Sequence, residues 1–277
     1  MLLCSAGGAA AGQWENDGSG QRGVTLSLGY DGYYFSYKET GNGGVLDQDT
    51  GWLNGMLLEA QYDTSRMFIR GSIDFSGSNS ATYKGALQNG TPVSMQTSEL
   101  FYQVEGAVGY KALNFNHATL SPYLAIGYRY WDRGENSLPD YLETYTWGYV
   151  ALGGNFSYRY AKGFIGLDAS IQFLIDPQMQ TNLAGLVDMA TFNLKPKPGF
   201  HVEVPMTYEI SSSAYRAVSL FARPYYQRWN IGASNPVLLT QNGSPLIDPS
   251  TGQLLYAVEP DSHTDIYGIK LGVSVNF

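Results

Sequence analysis

Nine ionisable residues of both signs recur along the chain, each inside a stretch where polar and apolar residues alternate. They are Asp31, Arg70, Asp74, Glu105, Arg129, Asp168, Glu203, Arg223 and Lys270. Measured from the shorter chain connection beside each stretch, seven fall at a similar height, with Arg70 lower and Arg129 higher. Opposite charges in one layer can pair and fill an interior, or can form a path for a small solute or ion. An unpaired buried charge is costly, so the sequence favours the paired interpretation.

Six aromatic residues form a second group on the same side of their strands, nearer the long connections. They are Tyr33, Trp131, Trp147, Tyr149, Tyr225 and Trp229. Their rings can stack a sugar or another planar ligand. Rings also supply a large buried area wherever they meet, so packing that closes one end of the fold is the favoured interpretation.

Groups for catalysis do not converge in the sequence. The three histidines are His117 in a short connection, His201 inside a strand and His263. Ser262 is adjacent to His263, and neighbouring residues on a strand point to opposite faces. His201 stands two residues from Glu203, which predicts a place in the polar interior. We therefore expect no nucleophile, base and orienting group to meet, and neither an enzyme nor a cofactor.

Two loop motifs have a structural interpretation. Asp47-Gln48-Asp49 begins like a calcium loop but lacks the later bidentate glutamate, which predicts a solvated acidic loop and no metal site. Gln88-Asn89-Gly90 and Gln241-Asn242-Gly243 each contain Asn-Gly, which favours a type I′ hairpin turn.

The elements that position these groups are strands, since apolar and polar residues alternate with a period of two. Ten candidates cover residues 23–39, 52–62, 67–76, 99–111, 120–132, 145–160, 163–175, 199–210, 218–232 and 265–277. Short connections alternate with long ones. Pro205 and Pro224 lie inside the eighth and ninth strands, where each predicts a bulge because proline cannot donate to a ladder.

Composition restricts the class of protein. No run approaches the eighteen or so apolar residues of a membrane helix. The net charge is -8 and the pI is near 4.8, which argues against nucleic acid as a partner. The polar face of the strands consists of Gly, Ser and isolated charges, whereas a soluble sandwich would present many Lys and Glu there. Alternation of this kind is typical of a membrane barrel with a polar lumen.

Outward aromatic residues cluster at two heights. Tyr62, Tyr110, Tyr158, Tyr160, Tyr208 and Phe277 fall beside short connections, and Tyr34, Trp52, Tyr102, Tyr130 and Tyr226 fall toward the long ones. Two such groups match the aromatic girdles at the two surfaces of a bilayer.

The last ten residues, 268–277, alternate small or polar residues with aliphatic ones and end on Phe277. This ending resembles the C-terminal strand of Gram-negative outer-membrane β-barrels, in which a terminal Phe at the periplasmic rim is recognised during assembly. The resemblance implies an outer-membrane location, periplasmic termini, external long loops, contact with lipid and lipopolysaccharide, and engagement of the barrel-assembly machinery through Phe277. We expect a single ten-stranded antiparallel transmembrane barrel over residues 23–277.

The omptin surface proteases are similar to this chain in strand number and length only. That family implies an Asp pair in one long loop and an Asp-His pair in another. Here the second long loop has no acidic residue, and the fourth has Asp176 and Asp188 without a histidine.

Residues 1–22 are expected to be a residual signal or periplasmic segment. Ala9-Ala10-Ala11 is similar to a cleavage site, and lipid modification of Cys4 is an alternative that Leu3 disfavours.

Three functions follow from these features. The first is a narrow channel or binding barrel for small polar solutes. The second is a non-conducting structural or surface-interaction barrel with a filled lumen, and the third is a loop-borne hydrolase. Closure of the barrel predicts that Lys270 in the last strand meets Asp31 in the first.

Overall fold

A computed structural model describes residues 23–41, 43–86, 90–115, 117–135, 140–213 and 216–277, so the predicted N-terminal segment lies outside the described residues. In this part of the chain, ten antiparallel strands form one closed barrel. The strands are β1 (Gly23–Gly41), β2 (Gly44–Asp63), β3 (Met67–Ala86), β4 (Pro92–Tyr110), β5 (Ala118–Arg133), β6 (Glu143–Tyr160), β7 (Gly163–Thr181), β8 (Pro198–Glu203 and Met206–Ser212), β9 (Ala217–Gly232) and β10 (Asp261–Asn276).

The barrel closes between β1 and β10 in the predicted register. Asp31 pairs with Lys270, and Gly29 pairs with Gly272. Glycines on both sides of this seam leave space for the ring of Phe221, which lies 2.7 Å from the position a Cβ on Gly29 would take. The small residues that alternate along the last strand therefore leave room for side chains that pack at the seam between β1 and β10.

Several strands are longer than the alternation predicted, and the large extensions all lie at the end with the long connections, which we call the loop end. β2 begins at Gly44 and β3 ends at Ala86, so much of each predicted loop is a paired strand. Many outward residues in these extensions are polar, as Gln48, Lys84 and Thr144 are. Where both faces of a strand carry polar residues, apolar and polar residues no longer alternate. The strands predicted from alternation therefore end before the observed strands do. The opposite end, with the short connections, is the turn end.

A belt of exposed apolar side chains surrounds the barrel wall between the two ends. Leu28 is 52% exposed, Ile126 66% and Leu152 56%, values expected of side chains whose partner is lipid. Aromatic rings bound the belt at both heights, as predicted, and at the loop end Tyr34 contacts Trp52 while Tyr226 contacts Tyr267. The segments between the two girdles are the membrane-spanning part of each strand.

The two strand prolines produce a gap in a ladder and no bulge. β8 is interrupted between Glu203 and Met206, while β9 runs through Pro224 without a shift against β10. Glu203 pairs with Tyr225 and Met206 with Ala222, so two residues face two residues across the interruption. The predicted bulges at the prolines are therefore wrong. Pro224 lies across from Val204 and Pro205 across from Arg223, so the two missing donors fall in adjacent rows of one short interruption.

Two connections at the loop end have structure of their own. Residues 182–197, the fourth connection, contain a short 3-10 turn at Leu183–Gly185 and the short strands Ala190–Asn193 and Lys195–Pro196. Residues 233–260, the fifth connection, contain the short strands Val237–Leu238, Thr240–Gln241, Ser244–Pro245 and Tyr256–Ala257. Asn242 and Gly243 both have positive φ angles, which confirms the second predicted Asn-Gly turn. The first Asn-Gly motif falls partly outside the described residues. In the described chain, no helix has the length and apolarity needed to cross a membrane.

Candidate functional site

All nine predicted lumen charges line one polar cavity at mid-barrel, with a volume of about 80 Å³. A cavity of this size holds only a handful of water molecules. Inward positions of nine different strand segments contribute to it, because the alternation directs every second side chain into the lumen. The structure thus brings the predicted charge layer together.

Most of the charges in this layer form ion pairs. The guanidinium of Arg70 lies 3.6 Å from Glu105 and 3.7 Å from Asp168, on neighbouring and distant strands respectively. Lys270 lies 3.3 Å from Glu203. Arg223 binds the carboxylate of Glu59 with both terminal nitrogens, at 2.9 and 3.1 Å. Glu59 was missing from the predicted layer, although its inward position on β2 follows from alternation with Leu57 and Gln61.

Tyrosine hydroxyls donate hydrogen bonds to several carboxylates of this layer. Tyr225 donates to both oxygens of Asp31 at 3.0 and 3.1 Å, and Tyr149 donates to Glu105 at 2.9 Å. Asp74 lies beside Asp31 and shares Lys270 with it as a nearby cation. Two of the predicted mouth aromatics therefore act as hydrogen-bond donors to the charge layer.

Above the cavity, the other predicted aromatic residues form a packed plug. Trp131 stacks between Phe101 and Tyr145, with ring centroids 5.3 and 4.7 Å away. Trp229 meets Trp147 at 5.4 Å and Tyr149 at 5.2 Å on the other side of the lumen. Tyr33 joins the first set through Phe101 at 6.5 Å, whereas Tyr225 lies lower, against Lys270.

Arg129 links the two sets of rings. Its guanidinium lies 4.7 Å from the ring centroid of Phe101 and 5.5 Å from that of Trp229. Gln103 accepts a hydrogen bond from the same group at 2.7 Å. A cation held between aromatic faces from opposite walls adds cation–π attraction to the packing of the plug.

Inward glycines leave the space beside the backbone that aromatic rings of the lumen occupy. A Cβ on Gly127 would lie 2.3 Å from the ring of Tyr149, and one on Gly153 would lie 2.3 Å from the ring of Tyr123. No side chain fits at such a distance, so each ring lies flat against the neighbouring backbone only because the residue is glycine. The plug is encoded by aromatic and glycine positions together.

Closer to the loop end, a third group was not predicted. Arg133 binds four carboxylates: Glu143 at 2.6 Å, Glu39 at 3.0 Å, Asp47 at 3.4 Å, and Asp49 through its Nε. We call Arg133 and these four partners the arginine knot. The predicted solvated loop at Asp47 and Asp49 is wrong, because both residues belong to β2 and Asp49 is fully buried.

Two further acids surround the knot. Glu259, from the fifth connection, accepts a hydrogen bond from Tyr145 at 2.6 Å. Glu99 accepts one from the indole of Trp131 at 2.5 Å, and its other oxygen has no hydrogen-bond partner among the described residues. Six carboxyl groups thus face one guanidinium, in an enclosed space beyond the loop-end girdle.

This excess of acid raises pKa values. Burial raises the pKa of Glu39 to about 7 and that of Glu143 to about 7, in spite of the opposing effect of Arg133. Burial raises the pKa of Asp47 to about 6, and it places the pKa of Glu259 well above the ordinary glutamate value. The knot therefore holds protons as well as ion pairs near neutral pH.

The fifth connection lies over the mouth. Val237, Leu239 and Ala257 pack against the buried core, and Glu259 extends into the knot. The fourth connection is tied to it, since Asp188 accepts hydrogen bonds from Thr240, Asn242 and Gly243 at 2.7 to 3.0 Å. These bonds, that from Gly243 foremost, lower the pKa of Asp188. The aromatic plug, the arginine knot and the fifth connection close the loop end of the barrel in three successive layers.

The knot had a signal in the sequence. Arg129, Trp131 and Arg133 are two residues apart, so an inward Arg129 implies an inward Arg133 if the strand continues. The predicted strand ended at residue 132, one position too early. As for metals, no set of three or more His, Cys, Asp or Glu side chains in the described ranges is arranged to hold an ion.

Comparison with known proteins supports the fold. No family model matches the chain, and no curated protein matches its sequence. The outer-membrane protease OmpT from Escherichia coli superimposes with a TM-score of 0.54 at 9% identity, over 92% of this chain and 96% of that one. Weaker matches include the NalP autotransporter translocator domain from Neisseria meningitidis (TM-score 0.38, 6% identity, 92% of this chain and 89% of that one) and the P. putida toluene transporter TodX (0.32, 8%, 92% and 89%).

At such identities the likeness concerns fold alone. Together with the closed ten-stranded sheet and its lipid-facing belt, it shows that this chain has the fold of a Gram-negative outer-membrane β-barrel.

Proposed function

We propose that the protein is a non-conducting barrel of the outer membrane, which anchors a fixed platform of loops at the cell surface. Its turn end and both termini face the periplasm, and its loop end faces outward. The surrounding partners are outer-membrane lipid and lipopolysaccharide, and Phe277 is the contact for the barrel-assembly machinery during insertion.

The observation that carries the proposal is the aromatic plug. Trp131 and Tyr149 are 0% exposed and Trp229 is 1% exposed, although they lie in the lumen and not in a layer between two sheets. Solvent that reached the centre of the barrel from the loop end would have to touch these rings. Ten strands enclose a narrow interior, so rings from several walls are enough to block it.

The platform supports the surface role. The fourth and fifth connections hold each other through Asp188, and the fifth carries exposed apolar side chains at Ile247, Leu254, Tyr256 and Val258. Apolar groups exposed together on an otherwise polar loop favour contact with another macromolecule.

The channel remains the second candidate, because the mid-barrel cavity is polar and lined by both signs of charge. A solute or ion held there would find carboxylates and cations within reach. In this alternative the plug and the fifth connection would have to move away before conduction.

A hydrolase is not part of the proposal. His263 and Asp265, at 3.8 Å, face outward on β10, whereas Asp47 and Asp49 point inward to Arg133. The two pairs lie on opposite faces of the barrel wall, so they do not converge on one substrate.

Planar-bilayer recording of the purified barrel tests the proposal. We expect no current above background for the native chain, and a measurable current for the double variant Trp131→Ala, Trp229→Ala, which removes rings from both sets. The matched control, Tyr102→Ala, removes an outward ring at the girdle and leaves the plug intact.

Steady current through the native chain would contradict the proposal and favour the channel. If neither the native chain nor the correctly folded double variant carried current, the lumen would be blocked elsewhere and not by these rings.

A further inference from the structure

One sector of the outer wall carries a band of cationic side chains just above the loop-end girdle. β1, β10 and β9 align here: Tyr34, Tyr267 and Tyr226 form one row of the girdle. Ser36, Asp265 and Arg228 form the next row, and Lys38, His263 and Asn230 form the one after it. Lys195 and Lys197 follow on the segment that leads into β8. We call Lys38, Lys195, Lys197, Arg228 and His263 the collar.

The height of the collar is that of lipid head groups. Consecutive rows on one face are two residues apart, roughly 7 Å along the strand. Tyr and Trp rings of a girdle mark the membrane surface itself. The two rows therefore lie above the acyl chains but within reach of groups attached to them, and Lys195 and Lys197 extend the collar by one further row, beside Gly232 and Asp261.

The collar has an excess of positive charge in a chain whose net charge is -8. Two carboxylates lie within it: Asp261 contacts Lys197 at 2.7 Å, and Asp265 contacts Arg228 at 3.2 Å. Counted with Lys38 and Lys195, four permanent cations face these two acids. Arg228 also donates through its Nε to Asn230 at 3.0 Å, which fixes the guanidinium against the wall.

The opposite wall lacks this feature. At the same height above Tyr102 and Tyr130, the corresponding row consists of Leu100, Asp132 and Thr144. That row presents one acid and no cation. Cations at head-group height are thus concentrated on the sector of β1, β9 and β10, with Lys84 of β3 in the row of Lys38 at its margin.

Beside the cations is a recess of about 300 Å³. Lys197, Asp261 and His263 line it together with Thr40, Pro198, Asn230 and the backbone around Ser262. Cations next to several neutral donors and acceptors match a head group that carries both phosphate and sugar hydroxyls. The recess is larger than a phosphate alone requires, so a head group with a sugar beside its phosphate fits it.

We propose that the collar is a binding site for the phosphorylated sugar head group of an outer-leaflet glycolipid. Lys38, Lys197 and Arg228 contact phosphate, and the recess receives part of the sugar. The site rests on the orientation given under Proposed function, with the loop end outward, but it is independent of whether the lumen conducts.

Equilibrium binding of diphosphorylated lipid A to the full chain in detergent, measured by native mass spectrometry, tests the site. For Lys38→Ala, Lys197→Ala, Arg228→Ala combined, we expect binding at least about tenfold weaker, because each cation near a lipid surface contributes severalfold. The matched control, Arg66→Ala, Lys162→Ala, Arg216→Ala, removes the same charge from the turn end. It should bind as the native chain does.

Three results would overturn the proposal: unchanged binding in the collar variant, an equal loss in the control, or equal affinity for phosphatidylglycerol. Competition by inorganic phosphate alone, at concentrations that leave the lipid micellar, would also overturn it, because it would reveal a free-anion site. Urea unfolding of each variant establishes that the barrel is intact. A conducting native barrel with a functional collar would refute the closed lumen and leave this site standing.

Discussion

The lumen contains two polar regions that balance charge differently. At membrane height, Arg70, Arg129, Arg223 and Lys270 face six carboxylates around the central cavity. At the loop end, six carboxylates face Arg133 alone. The first region distributes its cations over several strands, whereas the second depends on one guanidinium and on protons.

This difference follows from what surrounds each region. The central layer has lipid outside and a small polar cavity inside, so each charge requires a partner within the wall itself. The arginine knot lies beyond the loop-end girdle, where the outward residues are polar and solvent, not lipid, lies outside the barrel wall. Protonation is available there as an alternative to pairing, and we therefore expect the two regions to respond differently to loss of a cation and to pH.

The largest expected effect is that of Arg133→Met. This change leaves four buried carboxylates without their cation, and breaking a buried ion pair in this way costs about 3 to 5 kcal/mol. Urea unfolding in lipid vesicles, followed by tryptophan fluorescence, measures the loss. The loss should be greater at pH 8 than at pH 5, because protons replace the missing cation in acid.

Arg228→Met is the control for that change. Its ion pair with Asp265 lies on the outer wall and is about one-third exposed. Exposed pairs contribute about 0 to 1 kcal/mol, so we expect little change in the unfolding midpoint. Similar losses for the two variants would remove the distinction between a knot and an ordinary ion pair.

The second prediction concerns pH. The folded-state pKa values of Glu39 and Glu143 are raised to about 7 by burial, whereas the unfolded chain titrates them near 4.5. Because the unfolded chain loses these protons first, the stability of the knot is complete in acid and declines as pH rises to about 7. Hydrogen exchange at Leu239 and Leu255, corrected for the intrinsic rate, should accelerate over this range.

Glu259→Gln sharpens that prediction. An amide at this position can still bond to Tyr145 but gains no charge as pH rises, so the fifth connection should stay better protected at pH 8 than in the native chain. Glu209→Gln, near the turn end, should exchange as the native chain does. Acceleration of the native chain in acid instead would reverse the sign and refute the account of the knot.

A smaller effect is expected at membrane height. Lys270→Met removes the partner of Glu203, but His201 lies 3.8 Å from the same carboxylate and the cavity admits water. We expect a loss of about 1 to 3 kcal/mol, the range for one unsatisfied buried group. A loss as great as that of Arg133→Met would show that the central layer has no redundancy.

The sequence predicted the fold well because alternation, girdles and the closing strand are local signals. Asp31 and Lys270 could be paired across the seam from strand count and register alone. The knot was missed because the strand extensions carry polar residues on both faces, so Asp49 looked like a loop residue and Arg133 fell one position beyond a predicted end. Glu259 is not accessible to such reasoning, since its place depends on how the fifth connection folds back over the mouth.

Closure of the lumen at the loop end is the central claim, and thiol labelling from outside intact cells tests it most directly. In a Cys4→Ser background, Ser72→Cys places a thiol on the central cavity, and Ser250→Cys places one on the exposed fifth connection. We expect a membrane-impermeant reagent to label position 250 readily and to leave position 72 unlabelled until Trp131 and Trp229 are replaced by alanine. Equal labelling of positions 72 and 250 while Trp131 and Trp229 are both present would contradict closure of the lumen at the loop end.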